Sequence, residues 1–155
     1  MPAAGLHEAA NPVGSPDAAI EVLVDELRAT MAANSGMGLA APQIGVQLDV
    51  AVVRVGSGEI VLIDPIVERQ RGRQAGWEGC LSIPDRVAWV IRPAEVTVAT
   101  LDLRGRRHLV QARALLARAV IHEIDHLRGR LYADALAPDE LVDTVKHPTP
   151  PRPGR

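Results

Sequence analysis

The sequence ARALLARAVIHEIDHLR at residues 112–128 has the pattern of one long helix. It contains no proline or glycine, and Gly129 follows it at a position where helices commonly end. His122 and His126 are four residues apart, so their side chains share one helical face and can bind a single metal ion. Glu123 lies one position further round the helix, from which a carboxylate can reach a water molecule at that ion. The stretch therefore predicts a metal-binding helix suited to hydrolysis.

The segments before this helix predict an α+β fold. Ser15 is the expected N-cap, and Pro16 the first-turn residue, of an amphipathic helix over residues 16–33. Five short strands are predicted from their alternating and β-branched patterns, at residues 49–55, 59–63, 88–91, 95–101 and 106–111. The order of helix, strands and helix predicts mainly antiparallel sheets around the C-terminal metal-binding helix.

The chain is expected to form a single catalytic domain over residues 16–136, since 155 residues suit one domain with its own core. Residues 1–15 are rich in alanine, proline and glycine without a clear period, which predicts a loosely ordered N-terminal segment. Residues 137–155 contain five prolines and are predicted to form a disordered tail.

Charge and composition argue against several classes of function. The 17 basic and 19 acidic residues give a net charge of −2, and only three residues are aromatic, so no nucleic-acid partner is expected. No stretch approaches the roughly 18 apolar residues of a membrane span, so no membrane association is expected. The single cysteine, Cys80, cannot form an intramolecular disulfide. Together with the absence of an export signal, this predicts a cytoplasmic protein.

A catalytic metal site of this kind needs a third protein ligand, which the helix does not identify. The candidates are Cys80, His108 and the acidic residues downstream of the helix. Cys80 lies in the motif EGCLS at residues 78–82, where the glycine permits close approach of the backbone. A lone cysteine is also common as a small buried hydrophobe, and His108 lies in an alternating stretch typical of a solvated strand face.

A third motif, GMGLAAPQ at residues 36–43, combines small residues with a terminal amide. The small residues let the backbone pass close to another group, and the Gln43 amide can stabilise a developing oxyanion. The motif lacks the Lys-Ser/Thr ending of a phosphate-binding loop, so it does not predict a phosphate site.

Taken together and in this order, the three motifs resemble those of the peptide deformylase family, which removes the N-formyl group from newly made bacterial and organellar polypeptides. The family is marked by GxGxAAPQ, EGCxS and HExDH. The chain has GMGLAAPQ, EGCLS and HEIDH at the corresponding places without a mismatch. The resemblance extends from about the first helix to Asp134.

The resemblance implies a role for individual residues of these motifs. It implies that Cys80, His122 and His126 are the metal ligands and that Glu123 is the general base and later the general acid. It further implies that Gln43 and the backbone N–H of Leu81 are oxyanion donors. It also implies that Glu78 pairs with Arg92 and that this pair supports the loop containing Cys80. Asp125 is expected to be a supporting carboxylate rather than a metal ligand.

A side-chain pocket is predicted from helical spacing. Leu115 and Ala119 precede His122 by seven and three residues and share its face, so they are expected to flank the metal. The loop that carries Gln43 must approach the same metal, which brings Met37 and Gly38 near. Such an apolar slot suits the flexible side chain of methionine.

The resemblance implies Fe²⁺ as the native metal, with Zn²⁺, Ni²⁺ or Co²⁺ as substitutes, whereas the ligand types alone indicate zinc. The implied partners are formylated nascent peptides, met at the ribosome exit. Metal-chelating peptide mimics are the implied inhibitors.

Two other functions fit parts of the pattern. A zinc peptidase is suggested by His-Glu-x-x-His, but the cysteine motif argues against it. A non-catalytic deformylase-like protein that binds formylated peptides or a ribosome is the second alternative, and the intact Glu123 and Gln43 argue against that one.

The chain also departs from the family pattern. Ile121 stands where glutamine is usual, Asp64 stands where asparagine is usual, and the N-terminal segment does not clearly show the usual extended strand. These departures leave the ligands intact and bear on substrate fit.

Overall fold

The computed structural model describes residues 5–137 and 140–143 of the chain. The helices and strands of this part are α1 Ala18–Ala33, β1 Gly38–Ala40, β2 Val50–Val55, β3 Gly58–Ile63, β4 Ile66–Arg71, β5 Gln74–Cys80, β6 Ile83–Arg92, β7 Glu95–Leu101, β8 Arg107–Arg113, α2 Ala114–Leu127 and β9 Val142–Asp143. A short 3₁₀ helix, Ala41–Ile44, follows β1.

The strands form three sheets, ordered β1-β2-β3, β4-β7-β8 and β5-β6-β9. All the pairings between these strands are antiparallel. The predicted α+β class with mainly antiparallel sheets is therefore confirmed. A tight turn joins β2 to β3, and Gly56 adopts the positive φ of 64° that this turn requires.

Helix α2 is buried on most of its surface, as expected of a helix that is packed between sheets. Its apolar residues form one core cluster with β2, β3 and β7, in which Val120, Ile124 and Leu127 pack with Val53 and Val98. This packing fixes the helix that carries both histidines. In the described part of the chain, no helix combines the length and the apolar content that a membrane span requires.

Helix α1 begins two residues later than predicted, and its N-cap is Asp17 rather than Ser15. The Asp17 carboxylate accepts hydrogen bonds from the backbone N–H groups of Ala19 and Ile20 at 3.0 and 3.2 Å. A carboxylate is an equally good cap and adds a favourable charge at the helix N-terminus, which explains the shift. The apolar face of α1 packs in a second core cluster with β1 and β2.

The sequence patterns do not predict β1, β4, β5 or β9, and the predicted strand at residues 88–91 is the end of the longer β6. Strand β5 contains Gly76 and Gly79, which weaken strand propensity. Strand β4 ends in exposed polar residues without alternation. Strand β4 is held by pairing with β7, which is distant in sequence and which a local pattern does not reveal, whereas β5 pairs with the adjacent β6 in a hairpin.

Residues 5–15 lie against the rest of the fold at several points. Leu6 is buried, the backbone N–H of Ala10 donates to the carbonyl of Leu127 at 2.9 Å, and Asn11 forms a bridge with Leu48. These contacts do not measure mobility, so the expectation that residues 1–15 are loosely ordered stays a prediction. Residues 1–4, 138–139 and 144–155, which include most of the predicted tail, lie outside the described residues.

Candidate active site

Three side chains that can bind a metal converge at the junction of β5 and α2. Cys80 is the last residue of β5, and His122 and His126 lie one turn apart on α2. The Cys80 Sγ and His126 Nε2 atoms are 3.1 Å apart, and the His126 and His122 Nε2 atoms are 3.2 Å apart. Because all three atoms lie within 4.8 Å of one another, one ion can be bound by all of them.

The chemistry of these donors fits a catalytic transition-metal site. A thiolate with two imidazoles is a donor set used for zinc and related divalent metals, with a fourth position left for water or substrate. Burial, reinforced by the neighbouring His122, lowers the pKa of His126 to about 3, so its imidazole is neutral, the form that binds a metal. The residues present therefore fit a bound divalent ion.

The other candidates for a third ligand lie elsewhere. His108 is exposed on β8, opposite Thr100 of β7. Downstream of α2, Asp134 accepts a hydrogen bond from the Leu131 backbone N–H at 2.7 Å. Within the residues that the structure describes, only Cys80 joins the two histidines.

Glu123 lies beside the three candidate ligands and is almost fully buried. Burial raises the pKa of its carboxyl group to about 7, although the nearby His122 acts in the opposite direction. Its Oε2 atom has no hydrogen-bond partner among the described residues, so one oxygen remains available to water or substrate. A carboxyl group with these properties is suited to both accept and donate a proton near neutral pH.

Gly38 makes room for this carboxylate. A Cβ atom placed on Gly38 would lie 2.3 Å from Glu123 Oε1, which is a severe overlap. Strand β1 therefore approaches Glu123 as closely as it does only because residue 38 has no side chain.

Gln43 is fixed with its amide directed at the cysteine loop. Its Oε1 accepts from the Ala40 backbone N–H at 2.8 Å, and its Nε2 donates to Ser82 Oγ at 3.1 Å. The same Nε2 lies 3.5 Å from Cys80 Sγ. Leu81 directly follows Cys80 and has a half-exposed side chain. Ser82 was not singled out from the sequence, although it is the last residue of the EGCLS motif.

Glu78 orients one of the two histidines. Its Oε1 lies 2.6 Å from His122 Nδ1, an arrangement that turns the Nε2 atom toward Cys80 and His126. The predicted pair with Arg92 is present, with Arg92 Nε donating to Glu78 Oε2 at 3.0 Å. Burial raises the pKa of Glu78, but hydrogen bonds from His122 and Arg92 outweigh it and lower the pKa to about 2. Glu78 is therefore ionised.

The predicted supporting residue Asp125 lies on the other side of Arg92. Its Oδ2 accepts from Arg92 Nη1 at 2.5 Å, and its Oδ1 accepts from Arg130 at 2.8 Å. No role was predicted for Arg118, whose Nη1 also donates to Glu78 Oε2 at 2.8 Å.

A cavity of about 570 Å³ opens onto these groups. All four residues of the predicted pocket line it, namely Met37, Gly38, Leu115 and Ala119. His122, Glu123 and Cys80 lie on its wall, and Trp77 and Ile83 of the β5–β6 hairpin add apolar surface that was not predicted. The cavity therefore joins an apolar slot to the candidate catalytic groups.

Sequence comparison finds close relatives over most of the chain. The family model for polypeptide deformylase matches residues 1–141. The peptide deformylase of Thermoanaerobacter pseudethanolicus is 44% identical over 129 residues, which cover 83% of this chain and 81% of the relative. Peptide deformylase 1 of Bacillus anthracis is 47% identical over 112 residues, covering 71% of this chain and 72% of the relative.

Comparison with solved structures also finds peptide deformylases. A crystal structure of a peptide deformylase from Legionella pneumophila superposes with a TM-score of 0.85 at 36% identity, covering 90% of this chain and 85% of that one. A peptide deformylase from Synechococcus elongatus in complex with actinonin superposes with a TM-score of 0.81 at 37% identity, covering 85% of this chain and 73% of that one. The resemblance inferred from three short motifs thus extends over nearly the whole described chain, and this chain belongs to the polypeptide deformylase family.

Proposed function

We propose that this chain is a metal-dependent hydrolase that removes the N-formyl group from the N-terminal formyl-methionine of newly made polypeptides and releases formate. The observation that carries the proposal is the convergence of Cys80, His122 and His126 beside the buried Glu123, at the wall of an apolar cavity. Membership of the polypeptide deformylase family supports the same reaction.

In this proposal Cys80, His122 and His126 hold a divalent metal. Such an ion, when bound, acidifies water and polarises a carbonyl group. Glu123 accepts the proton of the attacking water and later donates it to the leaving amine. Its pKa of about 7 suits both steps, because a group that titrates near the working pH can serve as base and then as acid.

Gln43 and the Leu81 backbone N–H are proposed to bind the oxygen of the formyl carbonyl as it becomes negatively charged. The Gln43 side chain is already held by Ala40 and Ser82, so little reorganisation is needed when charge develops. Removing one such donor typically slows an enzyme by about 10²–10³-fold.

Met37, Leu115 and Ala119 are proposed to receive the methionine side chain. Met37 and Leu115 are about half exposed, as expected of residues at the opening of a binding slot rather than in a core. Ala119 lies deeper, and its small side chain leaves space above the metal-binding helix.

Iron is proposed as the native metal, with zinc, nickel or cobalt as substitutes. We also propose that the chain acts in the bacterial cytoplasm on nascent chains near the ribosome exit. Inhibition by metal-chelating peptide mimics is expected as well, since relatives form complexes with actinonin.

The test is formate release from formyl-Met-Ala-Ser by protein that has been loaded with Fe²⁺ under anaerobic conditions. Stoichiometric formate and a free N-terminus are expected. Cleavage of internal peptide bonds without formate would favour a zinc peptidase, and peptide binding without any product would favour the non-catalytic binder.

A further inference from the structure

Arg118 is a buried cation next to the candidate metal site, and neither a predicted role nor the proposed reaction accounts for it. It lies on α2 one turn before His122 and is only 6% exposed. Its Nη1 donates to Glu78 Oε2 at 2.8 Å, and its Nη2 donates to the carbonyl of Val90 on β6 at 3.0 Å. Arg118 thus connects the helix that carries both histidines to the hairpin that carries Cys80.

These contacts complete the hydrogen bonding of Glu78. Its Oε2 accepts from Arg92 Nε and Arg118 Nη1, and its Oε1 is bonded to Arg92 Nη2 and His122 Nδ1. A carboxylate offers about four acceptor positions, so Glu78 has none to spare. Every direction in which this carboxylate could rotate is therefore opposed by a bond.

The Glu78 carboxylate has two cationic partners that are both largely buried, Arg92 and Arg118. Asp125, in contrast, is shared by Arg92 and the more exposed Arg130. Without Arg118 the Glu78 carboxylate would lose one of its two guanidinium partners beside His122. A buried carboxylate that loses one partner moves toward other donors or water, since an unmet hydrogen bond to a charged group is costly.

We propose that Arg118 is a positioning residue for the metal site: it locks the Glu78 carboxylate, and Glu78 in turn holds the His122 ring with Nε2 directed at Cys80 and His126. This inference rests on the proposed metal site and concerns its geometry rather than the substrate. Arg118 acts through Glu78 and His122 and takes no part in proton transfer.

The test compares Arg118→Met, which keeps the length of the side chain but removes the charge, with Arg118→Lys. The lysine variant keeps the charge but lacks the forked guanidinium group that reaches two acceptors at once. Co²⁺ affinity is measured by competition with a chelator, and the absorption spectrum of the cobalt protein is recorded without substrate. Arg118→Met is expected to bind Co²⁺ roughly 10–100-fold more weakly and to change the spectrum, as loss of a group that orients a ligand generally does. Arg118→Lys is expected to recover part of both.

Arg128→Met is the matched control. Arg128 is the C-cap residue of α2 and, like Arg118, donates to a carboxylate and to a backbone carbonyl, those of Asp49 and Pro65, away from the metal site. The Arg128→Met variant is expected to have a lower melting temperature but unchanged Co²⁺ affinity and spectrum. Equal effects of both variants on Co²⁺ affinity would overturn the proposal, because a general loss of stability would then explain them.

Two further outcomes count against Arg118 as a positioning residue. One is a folded Arg118→Met protein with wild-type Co²⁺ affinity and spectrum. The other is a raised KM with unchanged metal binding, which would make Arg118 a substrate contact in the cavity that it also lines.

A second variant covers the case in which Arg118→Met does not fold. A Cβ atom on Gly76 would lie 3.3 Å from Arg118 Nη2, so Gly76→Ala pushes the guanidinium without removing it. If neither Gly76→Ala nor Arg118→Lys changes Co²⁺ affinity or spectrum, the proposal fails. Since these readouts need no turnover, a wild-type protein that releases no formate would refute the proposed function and leave this test valid.

Discussion

Among single residues, the convergence of the two histidines was predictable from the sequence pattern, and that of Cys80 with them was not. The spacing of His122 and His126 on one helical face follows from the period of the helix alone. Cys80 lies 42 positions before His122, and only the fold or a resemblance to known motifs can bring it there. Arg118 was missed for a related reason, because its partner Glu78 is on a hairpin that local patterns did not fully predict.

Glu123 provides the sharpest test of the proposed chemistry. Glu123 lies beside the site but supplies none of the three converging atoms that can bind a metal, so the Glu123→Ala protein should keep the metal. We expect kcat to fall by at least about 100-fold, since general base catalysis contributes roughly 10²–10⁴-fold. Metal content and formate release, measured on the same sample, check this. A variant that retained more than about a hundredth of the wild-type kcat would show that the base is misassigned.

Among the elements, the helices and the β2–β3 hairpin were predictable because their patterns are local. Strands β4 and β5 were not, because β5 contains glycines, and because β4 is polar and pairs with the distant strand β7. The consequence for the site is that the loop carrying Cys80 could be placed only once the β5–β6 hairpin was known.

The face of α2 that lines the cavity allows a test of substrate specificity. Ala119 lines the cavity one turn away from Glu123, so Ala119→Leu would fill the slot proposed for methionine. We expect kcat/KM for a formyl-Met peptide to fall at least about tenfold, which is the lower end of what one misfitting methylene costs in an apolar pocket. The formyl-Ala peptide serves as the internal control and should change little.

Metal content of the Ala119→Leu protein should equal that of the wild type. Equal losses of kcat/KM for both peptides, or no loss for either, would show that this face of α2 does not bind the first side chain.

The end of the N-terminal segment, at Val13 and Gly14, is anchored by the carboxylate of Asp64, one of the positions where the chain departs from its family. Asp64 accepts the backbone N–H groups of Val13 and Gly14, both at 2.7 Å, one on each oxygen. Asp64→Asn would keep one acceptor and turn an NH₂ group toward the other N–H. We expect a loss of about 1–2 kcal/mol in the free energy of unfolding, the low end for charged hydrogen bonds because the site is partly exposed.

Urea unfolding of Asp64→Asn measures this loss. The φ of 47° at Asp64 is tolerated by asparagine, so backbone strain does not change. Asp25→Asn is the matched control, since the Asp25 side chain is 74% exposed and, among the residues that the structure describes, pairs only with the neighbouring Arg28 on α1. Its effect should stay within about 0.5 kcal/mol. Equal effects of the two variants would mean that Asp64 does not anchor the segment.

At the level of the whole molecule, the candidate site is assembled from three distant parts of the chain: the loop after α1, the β5–β6 hairpin and helix α2. The order of elements correctly indicated the α+β class. What it could not give is the contact between these parts, which depends on the packing of α2 against β1 and β6, two strands far from it in sequence.

This assembly predicts that metal binding stabilises the fold as a whole. An ion held by Cys80 and both histidines would tie the hairpin to α2, and it can bind only where all three atoms converge, as they do in the folded chain. At a free metal concentration of about 100 times Kd, binding adds roughly 2.7 kcal/mol to the free energy of unfolding. For a chain of this size we expect the melting temperature to rise by roughly 5–10 °C.

Thermal unfolding with Co²⁺ and with excess chelator measures the difference. Cys80→Ser is the control, because it keeps the fold but replaces the thiolate by a weaker ligand, and most of the rise should disappear. A full rise in Cys80→Ser would remove Cys80 from the metal site, and no rise in the wild type would mean that the three atoms do not bind the ion together.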